Sequence, residues 1–418
     1  MKNIIIGKSF LGKPLKVKLI GDETSPLRIF IIAGQHGDER YSKKALSKLL
    51  NYWKKYDKYP FYVAILKNAN PDGYKNNSRN NAQSIDLNRD HLLLQSKEAK
   101  AIHLFVTKWQ PKVVIDVHNY PSRRKHLLKK HLILYQDIFL DVPTNLAVIH
   151  PLSIKKINEF FSKINSKLDS QGFSCSRYVL FQKSGKIRHS TLDVQDARNS
   201  LALRNNLFSI ILEGREPLKN EGIMGENKTI LSQFYALCGI VDWLVKNRII
   251  FDKDNHVSAK GELIPIKINY RNSNEILELQ VKHSKTKKIS KKSFKNYSPE
   301  IEVSKFIKLP YAYGIPNSLK NLIKLLKEHG LSSTNISKKN KYQVYYKKHL
   351  KNEKSLSDDI ERKTITAQIS NYTVFPTNQL GGRFLAIMLE PQSNFGLSRF
   401  SKFKLNFSKL SEYPIIRI

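Results

Sequence analysis

Cysteine is nearly absent from this chain, with Cys175 and Cys238 the two thiols in 418 residues. So few exclude a disulfide framework at this length, and no CxxC pair is present. Acidic residues are scarce as well: 35 Asp and Glu stand against 72 Lys and Arg, for a formal net charge of +37. A field of that sign attracts nucleic acid, anionic surfaces or acidic substrates. The lysines, however, run through the whole chain instead of gathering on one helix or stripe, which favours solvated faces over a nucleic-acid footprint. No apolar run reaches the ~18 residues of a membrane span, so no membrane partner is expected. Near the N-terminus only Ile4, Ile5 and Ile6 are consecutive and apolar before Gly7 and Lys8. That is too short for the apolar region of an export signal, and a soluble, cytoplasmic protein is expected.

What is present suffices for packed cores, since 40% of the residues are hydrophobic and 10% aromatic. A chain this long divides into about two or three domains. The first 250 residues alternate strand-like and helix-like segments. Leu27 to Ala33, Phe61 to Leu66, Val113 to Val117 and Phe208 to Leu212 are short apolar runs suited to buried strands. Between and after them, Ser42 to Trp53, Ser96 to Trp109 and Ile230 to Val245 have helical patterns. The fold class expected for residues 1–250 is therefore α/β, a mixed and mostly parallel sheet flanked by helices. Residues 251–418 read as a smaller, mainly β domain. Its strands are expected at Ile264 to Tyr270, Ile276 to Val281, Thr364 to Val374 and Phe384 to Leu389. One amphipathic helix interrupts them, with Leu319, Leu322, Ile323 and Leu326 on one side and Gly330 as a stop. The basic run Lys282 to Lys295 reads as an exposed loop.

Three strand ends of the first half carry polar residues that a plain core does not need. LRIFIIAG is followed by Gln35-His36-Gly37-Asp38-Glu39, VVIDV by His118-Asn119-Tyr120, and FSIIL by Glu213-Gly214-Arg215. Residues at the carboxyl ends of parallel strands converge on one crevice. A catalytic zinc ion takes three N/O protein ligands and leaves a position open. His36 and Glu39, three apart in a tight turn, can reach one ion together, and His118 completes the set. Glu213 is then free to serve as general base. Asp116, two residues before His118, points to the same face and is placed to accept from a ligand imidazole. HxxE by itself is a weak signal, and a lone histidine is more often a satisfied side chain than a ligand.

The intervening segment sharpens the reading. Asn70-Pro71-Asp72-Gly73 is followed by Arg79-Asn80-Asn81 and then by Asp86-Leu87-Asn88-Arg89. In this order the chain resembles the zinc carboxypeptidase family over roughly residues 1–247. The resemblance implies one zinc ion per chain, held by His36, Glu39 and His118, with Glu213 as general base. It further implies that Arg79 steadies the oxyanion and that Asn88 and Arg89 grip the terminal carboxylate of a peptide substrate. Ser84 stands where the family usually has Gly, and the loop is expected to absorb it. The substrate-covering Tyr usual in the family, about 20 residues before the catalytic Glu, is missing. Tyr178 is badly spaced for that part, and His189 is a substitute. Arg198, 15 residues before Glu213, and Arg204 lie near the family's side-chain pocket, and a cationic pocket favours an acidic terminal residue.

The function expected is hydrolysis of a C-terminal peptide bond on a substrate with a free carboxylate. Three readings compete with it. One is an N-acyl amino acid deacylase of the aspartoacylase type. Another is a basic nucleic-acid-binding module with a decayed metal site. The third is an amidase acting on cell-wall peptides, against which the short apolar stretch at the N-terminus counts.

Overall fold

The computed structural model describes residues 1–418 except 56–58, 150, 206, 251–257, 335–338, 348–359, 369 and 406–411. Two compact units emerge. The first comprises Met1–Ala202, Leu207–Asp254 and Tyr270–Ile301, the second Leu203–Asn206, Asn255–Asn269 and Glu302–Ile418. The expected boundary at 250/251 meets residues 251–257, which lie outside the described residues. The contact units do not follow a single cut, because Tyr270–Ile301 groups with the first.

An eight-stranded sheet organises the first unit. In spatial order its strands are Lys2–Lys8, Pro14–Gly21, Tyr62–Leu66, Arg28–Ala33, Val113–Tyr120, Phe208–Arg215, Ile138–Asp141 and Cys175–Arg177. Tyr62–Leu66, Arg28–Ala33, Val113–Tyr120 and Phe208–Arg215 run parallel, and antiparallel strands flank them on both sides. The sheet is thus mixed, as the alternation of elements leads one to expect. The antiparallel hairpin Lys2–Lys8/Pro14–Gly21 has no counterpart in the sequence reading, since half-exposed edge strands lack the long apolar run of a central one.

Side chains alternate between the two faces with period two. Ile29, Ile31 and Ala33 pack with Leu46, Leu49, Phe160, Leu237 and Trp243, from the helices Tyr41–Trp53, Pro151–Asp169 and Gly222–Lys246. Phe30 and Ile32 face the other way, onto Ile102, Phe105 and Val106 of helix Lys97–Trp109. Both faces are covered. The two central strands Val113–Tyr120 and Phe208–Arg215 are buried at every position, including their polar ends. Polar groups so buried need partners, and these strand ends build the site described below.

Two expectations fail in the later residues. The basic run Lys282 to Lys295 is mostly a hairpin, Leu277–His283 with Ile289–Phe294, not a loop. Its second strand is exposed along nearly its whole length, and lysines on such an edge discourage pairing with another chain. In the second unit Phe384 to Leu389 lies in the helix Gly382–Leu389, not in a strand. FLAIML does not alternate, and a short apolar run buried all round fits either element. The second unit otherwise forms a five-stranded sheet, in the order Ile360–Gln368, Lys339–Lys347, Ile416–Arg417, Ala312–Pro316, Tyr372–Pro376. The amphipathic helix is present as Lys320–Glu328, burying Leu322, Leu325 and Leu326 and ending before Gly330 at φ 77°. No described helix is long and apolar enough to cross a membrane.

Candidate metal centre

The strand Arg28–Ala33 ends at Gly34, whose φ of 67° turns the chain out of the sheet. The Glu39 N–H then donates to His36 O at 3.3 Å, and this tight turn brings both side chains to the same side. Glu39 Oε1 lies 2.5 Å from His36 Nδ1, and Oε2 lies 2.9 Å from His118 Nδ1. One ligand atom from each of His36, Glu39 and His118 falls within 4.8 Å of the others. All three residues are buried. Asn119 N–H donates to Glu39 Oε2 at 3.0 Å, and the Gln233 amide donates to His118 O at 2.7 Å, so the backbone around the cluster is fixed.

The far side of each imidazole faces a carboxylate. Asp86 Oδ1 is 3.2 Å from His36 Nε2, and Asp116 Oδ1 is 3.0 Å from His118 Nε2. A neutral imidazole has one N–H. If the carboxylates take those hydrogens, both Nδ1 lone pairs turn toward Glu39, which is itself an acceptor. Three acceptors converging on one point suit a cation. Electrostatics agrees: although burial opposes it, Asp116 and Glu39 lift the His118 imidazole well above its usual range. His36 is raised against burial by Glu39 and Asp86. Burial works against ionised Glu39, yet His36 and His118 pull its carboxyl well below the usual carboxylate range. Two imidazoles and one carboxylate, each ring backed by a second carboxylate, fit the donor set of a catalytic zinc.

Glu213 stands directly across from His118 in the parallel pair Phe208–Arg215/Val113–Tyr120. Burial pushes its carboxyl up, with His118 opposing and Glu39 reinforcing. A carboxylate raised in this way is a better proton acceptor near neutral pH.

The other expected residues are distributed unevenly. Arg79 is about half exposed, at 47%, and holds Asp86 Oδ2 through Nε at 3.0 Å and Nη2 at 2.9 Å. It thus grips the carboxylate that faces His36. Arg89 is exposed, its Nη1 donating to Asn88 O at 2.6 Å. Asn88 lies on the other side of the same turn. It is buried, its Nδ2 lies 3.1 Å from His118 Nε2, and its Oδ1 accepts Ala197 N–H at 2.9 Å. Arg198 has no exposed surface, so it does not meet a ligand from solvent as it stands. Arg204 belongs to the second unit, where its guanidinium donates to the His329 and Leu380 carbonyls. His189, the substitute for a covering Tyr, is engaged with Asp141 at 2.6 Å. Ser84 takes φ 61°, the left-handed backbone that explains a Gly preference there, at a cost of about 1 kcal/mol or more.

Two features were not singled out from sequence. Asp86 sits inside the DLNR element but was passed over in favour of its neighbours. A buried chain also runs behind the cluster: Gln35 Nε2 donates to Asp116 Oδ1 at 2.7 Å, and Gln35 Oε1 faces His91 Nε2 at 2.7 Å. His91 Nδ1 in turn lies 3.2 Å from His103 Nε2. No motif spacing announces that chain.

The family model described as zinc carboxypeptidase matches residues 1–123, which hold His36, Glu39 and His118 but not Glu213. "Carboxypeptidase 2" of Trichophyton rubrum is 24% identical over 189 residues, covering 42% of this chain and 35% of its own length. "Carboxypeptidase SOL1" of Arabidopsis thaliana is 35% identical over 120 residues, covering 23% of this chain. The chain spans only 35% and 24% of the length of these two relatives. Among solved structures, a metallo-carboxypeptidase from Burkholderia cenocepacia is similar at 18% identity and TM-score 0.44, over 58% of this chain and 65% of that one. The murein-tripeptide amidase MpaA of Escherichia coli O157 aligns at 17% identity and TM-score 0.36, over 56% and 91%. Over residues 1–123 this chain is thus similar to the zinc carboxypeptidases.

Proposed function

We propose that this chain is a zinc metallocarboxypeptidase that hydrolyses the C-terminal peptide bond of a peptide with a free carboxylate. The observation that carries the reading is the convergence of His36, Glu39 and His118 on one point, with Glu213 beside His118 on the neighbouring strand. Zinc held there supplies Lewis acidity and an activated water nucleophile at neutral pH. Glu213 accepts a proton from the attacking water and returns it to the departing amine. Arg79, oriented by Asp86, steadies the negative charge that develops on the carbonyl oxygen. Arg89, exposed beside the site, pairs with the terminal carboxylate. Asp86 and Asp116 hold the two imidazoles in the orientation that turns Nδ1 inward.

An acidic terminal residue is the preferred substrate in this reading. Support comes from Arg198, whose buried charge has its nearest carboxylate, Asp196, 3.9 Å away. Arg204 gives no such support, because its Nε and Nη1 already donate to carbonyls of the second unit.

Amidating the substrate's C-terminus removes the charge that Arg89 recognises. Because Arg89 is exposed in the free protein, the expected penalty is about 1.5–3 kcal/mol, a loss of about tenfold or more in kcat/KM. Matched peptides with free and amidated ends test this. Equal cleavage of both forms overturns the carboxypeptidase reading, and so does hydrolysis of N-acyl glutamate with no peptide cleaved.

A further inference from the structure

Tyr178 follows the strand Cys175–Arg177, and its N–H donates to Leu140 O at 3.1 Å. Its ring meets Phe139 edge-on with centroids 6.4 Å apart. Phe139 is the antiparallel cross-strand partner of Glu213, and side chains so paired share one face of a sheet at close range. Tyr178 is therefore one ring away from the carboxylate read as the general base.

Backbone contacts tie the same residue to Arg198. Tyr178 O accepts the N–H of Ser190 at 2.9 Å, and Ser190 Oγ accepts Arg198 Nη2 at 3.2 Å. Ser190 is fully buried and sits at φ 54°, a left-handed conformation that a non-glycine residue adopts at a cost. The second Arg198 contact is Nη1 to Val142 O at 3.4 Å, while its buried Nε has no hydrogen-bond partner. A buried guanidinium usually meets a carboxylate through two parallel bonds. Here it has unfilled donors and a distant counter-charge.

The phenol is likewise unfilled. Its hydroxyl has no hydrogen-bond partner among the described residues, although the residue is only half-buried. Burial, reinforced by Glu213, holds it protonated far above the ordinary range, while Arg198, Arg89 and Arg124 pull the other way. It is thus a permanent O–H donor within the field of three guanidinium groups. One of these, Arg124, also has a buried Nε without a partner. Surplus donors and positive charge beside Glu213 call for an anion.

We propose that Tyr178, with Arg198 behind it as a positioning residue fixed by Ser190, recognises the side-chain carboxylate of an acidic terminal residue. The proposal rests on the carboxypeptidase reading and deepens it. It moves the recognising contact from Arg198, which has no exposed surface, to a hydroxyl that a ligand can reach. The substrate class it names is a peptide ending in a dicarboxylic amino acid.

The test uses the zinc-loaded full chain and two peptides that differ only in ending with Glu or with Gln. The unaltered protein is expected to favour Glu, and Tyr178→Phe to lower the Glu-to-Gln ratio of kcat/KM by about tenfold or more. Ser190→Ala, which frees Arg198 from its tether, should lower the ratio in the same direction by less. An equal fall on both peptides, or a starting ratio near one, overturns the assignment while leaving peptidase activity standing. Calorimetric binding of glutarate against butyrate supplies a readout that needs no turnover. If neither peptide is cleaved, the carboxypeptidase reading fails, and the pocket is judged on binding alone. Preference for glutarate that Tyr178→Phe removes upholds it, and equal binding of the two acids overturns it.

Discussion

Glu39 and Glu390 are both deeply buried carboxylates, and they are held in opposite ways. Glu390, in the second unit, accepts from the Tyr313 hydroxyl at 2.6 Å, the Tyr345 hydroxyl at 2.5 Å and the Arg417 guanidinium. Each partner is a donor by its chemistry, so charge and hydrogen bonds close within the group. Glu39, in the first unit, faces two imidazole nitrogens whose other sides belong to Asp86 and Asp116. Three carboxylates then surround two rings, and the balance needs positive charge from protons or from a metal. Burial and polarity alone do not distinguish the two clusters. The count of donors against acceptors does: the Glu390 cluster closes on its own donors, and the Glu39 cluster needs added protons or a cation, as a metal centre supplies.

The strongest way to break this contrast is to remove a ligand. His118→Ala is expected to take the zinc content from about one per chain to near zero and to abolish turnover. Glu213→Gln should instead retain zinc while turnover falls by a factor on the order of 10²–10⁴. Metal analysis beside rate measurement separates the two, and full zinc in His118→Ala would remove that residue from the ligand set. Next in size, Glu390→Gln leaves Arg417 buried without its counter-charge, at a cost of about 3–5 kcal/mol. Denaturant unfolding should register that loss with zinc content unchanged. A zinc deficit in the folded variant would mean that the second cluster is more than an anchor. The finest adjustment is Gln35→Met, which removes the donor to Asp116 and the contact to His91. Zinc affinity should fall about 10–100-fold in chelator competition, and an unaltered affinity would reduce the Gln35–His91–His103 chain to packing.

Much of the first unit could be read from sequence, because buried central strands announce themselves as unbroken apolar runs. Arg28–Ala33, Tyr62–Leu66, Val113–Tyr120 and Phe208–Arg215 all lie where such runs led. Their polar terminators, His36, Glu39, His118 and Glu213, stood out for the same reason. Asp86 was missed because a loop sequence does not say which of its side chains turns inward. Arg198 and Arg204 were placed together near one side-chain pocket, but they lie toward opposite ends of a helix, Ala197–Asn205. Six residues at about 100° each leave them roughly 120° apart around its axis, so they cannot serve one pocket from one face. Tyr178 was set aside because spacing was the criterion, whereas the fold brings it near Glu213 through the neighbouring strand.

Gly37 lies so close to the NPDG turn that an added Cβ would stand 2.1 Å from the Gly73 carbonyl carbon and 2.3 Å from Tyr74 N. Gly73 is equally confined, by the Asn70 amide at 2.4 Å and Asn80 O at 2.5 Å. Two segments far apart in the chain therefore meet main chain to main chain, with no side chain able to give way between them. For anyone building chimeras, this sets the unit of transplantation. An HGDE loop grafted into another scaffold without its own NPDG turn would meet a host surface shaped for some other neighbour. His36 and Glu39 would arrive with the right letters and the wrong geometry. The smallest portable metal centre from this chain is the pair of segments together, with the strand that ends in His118.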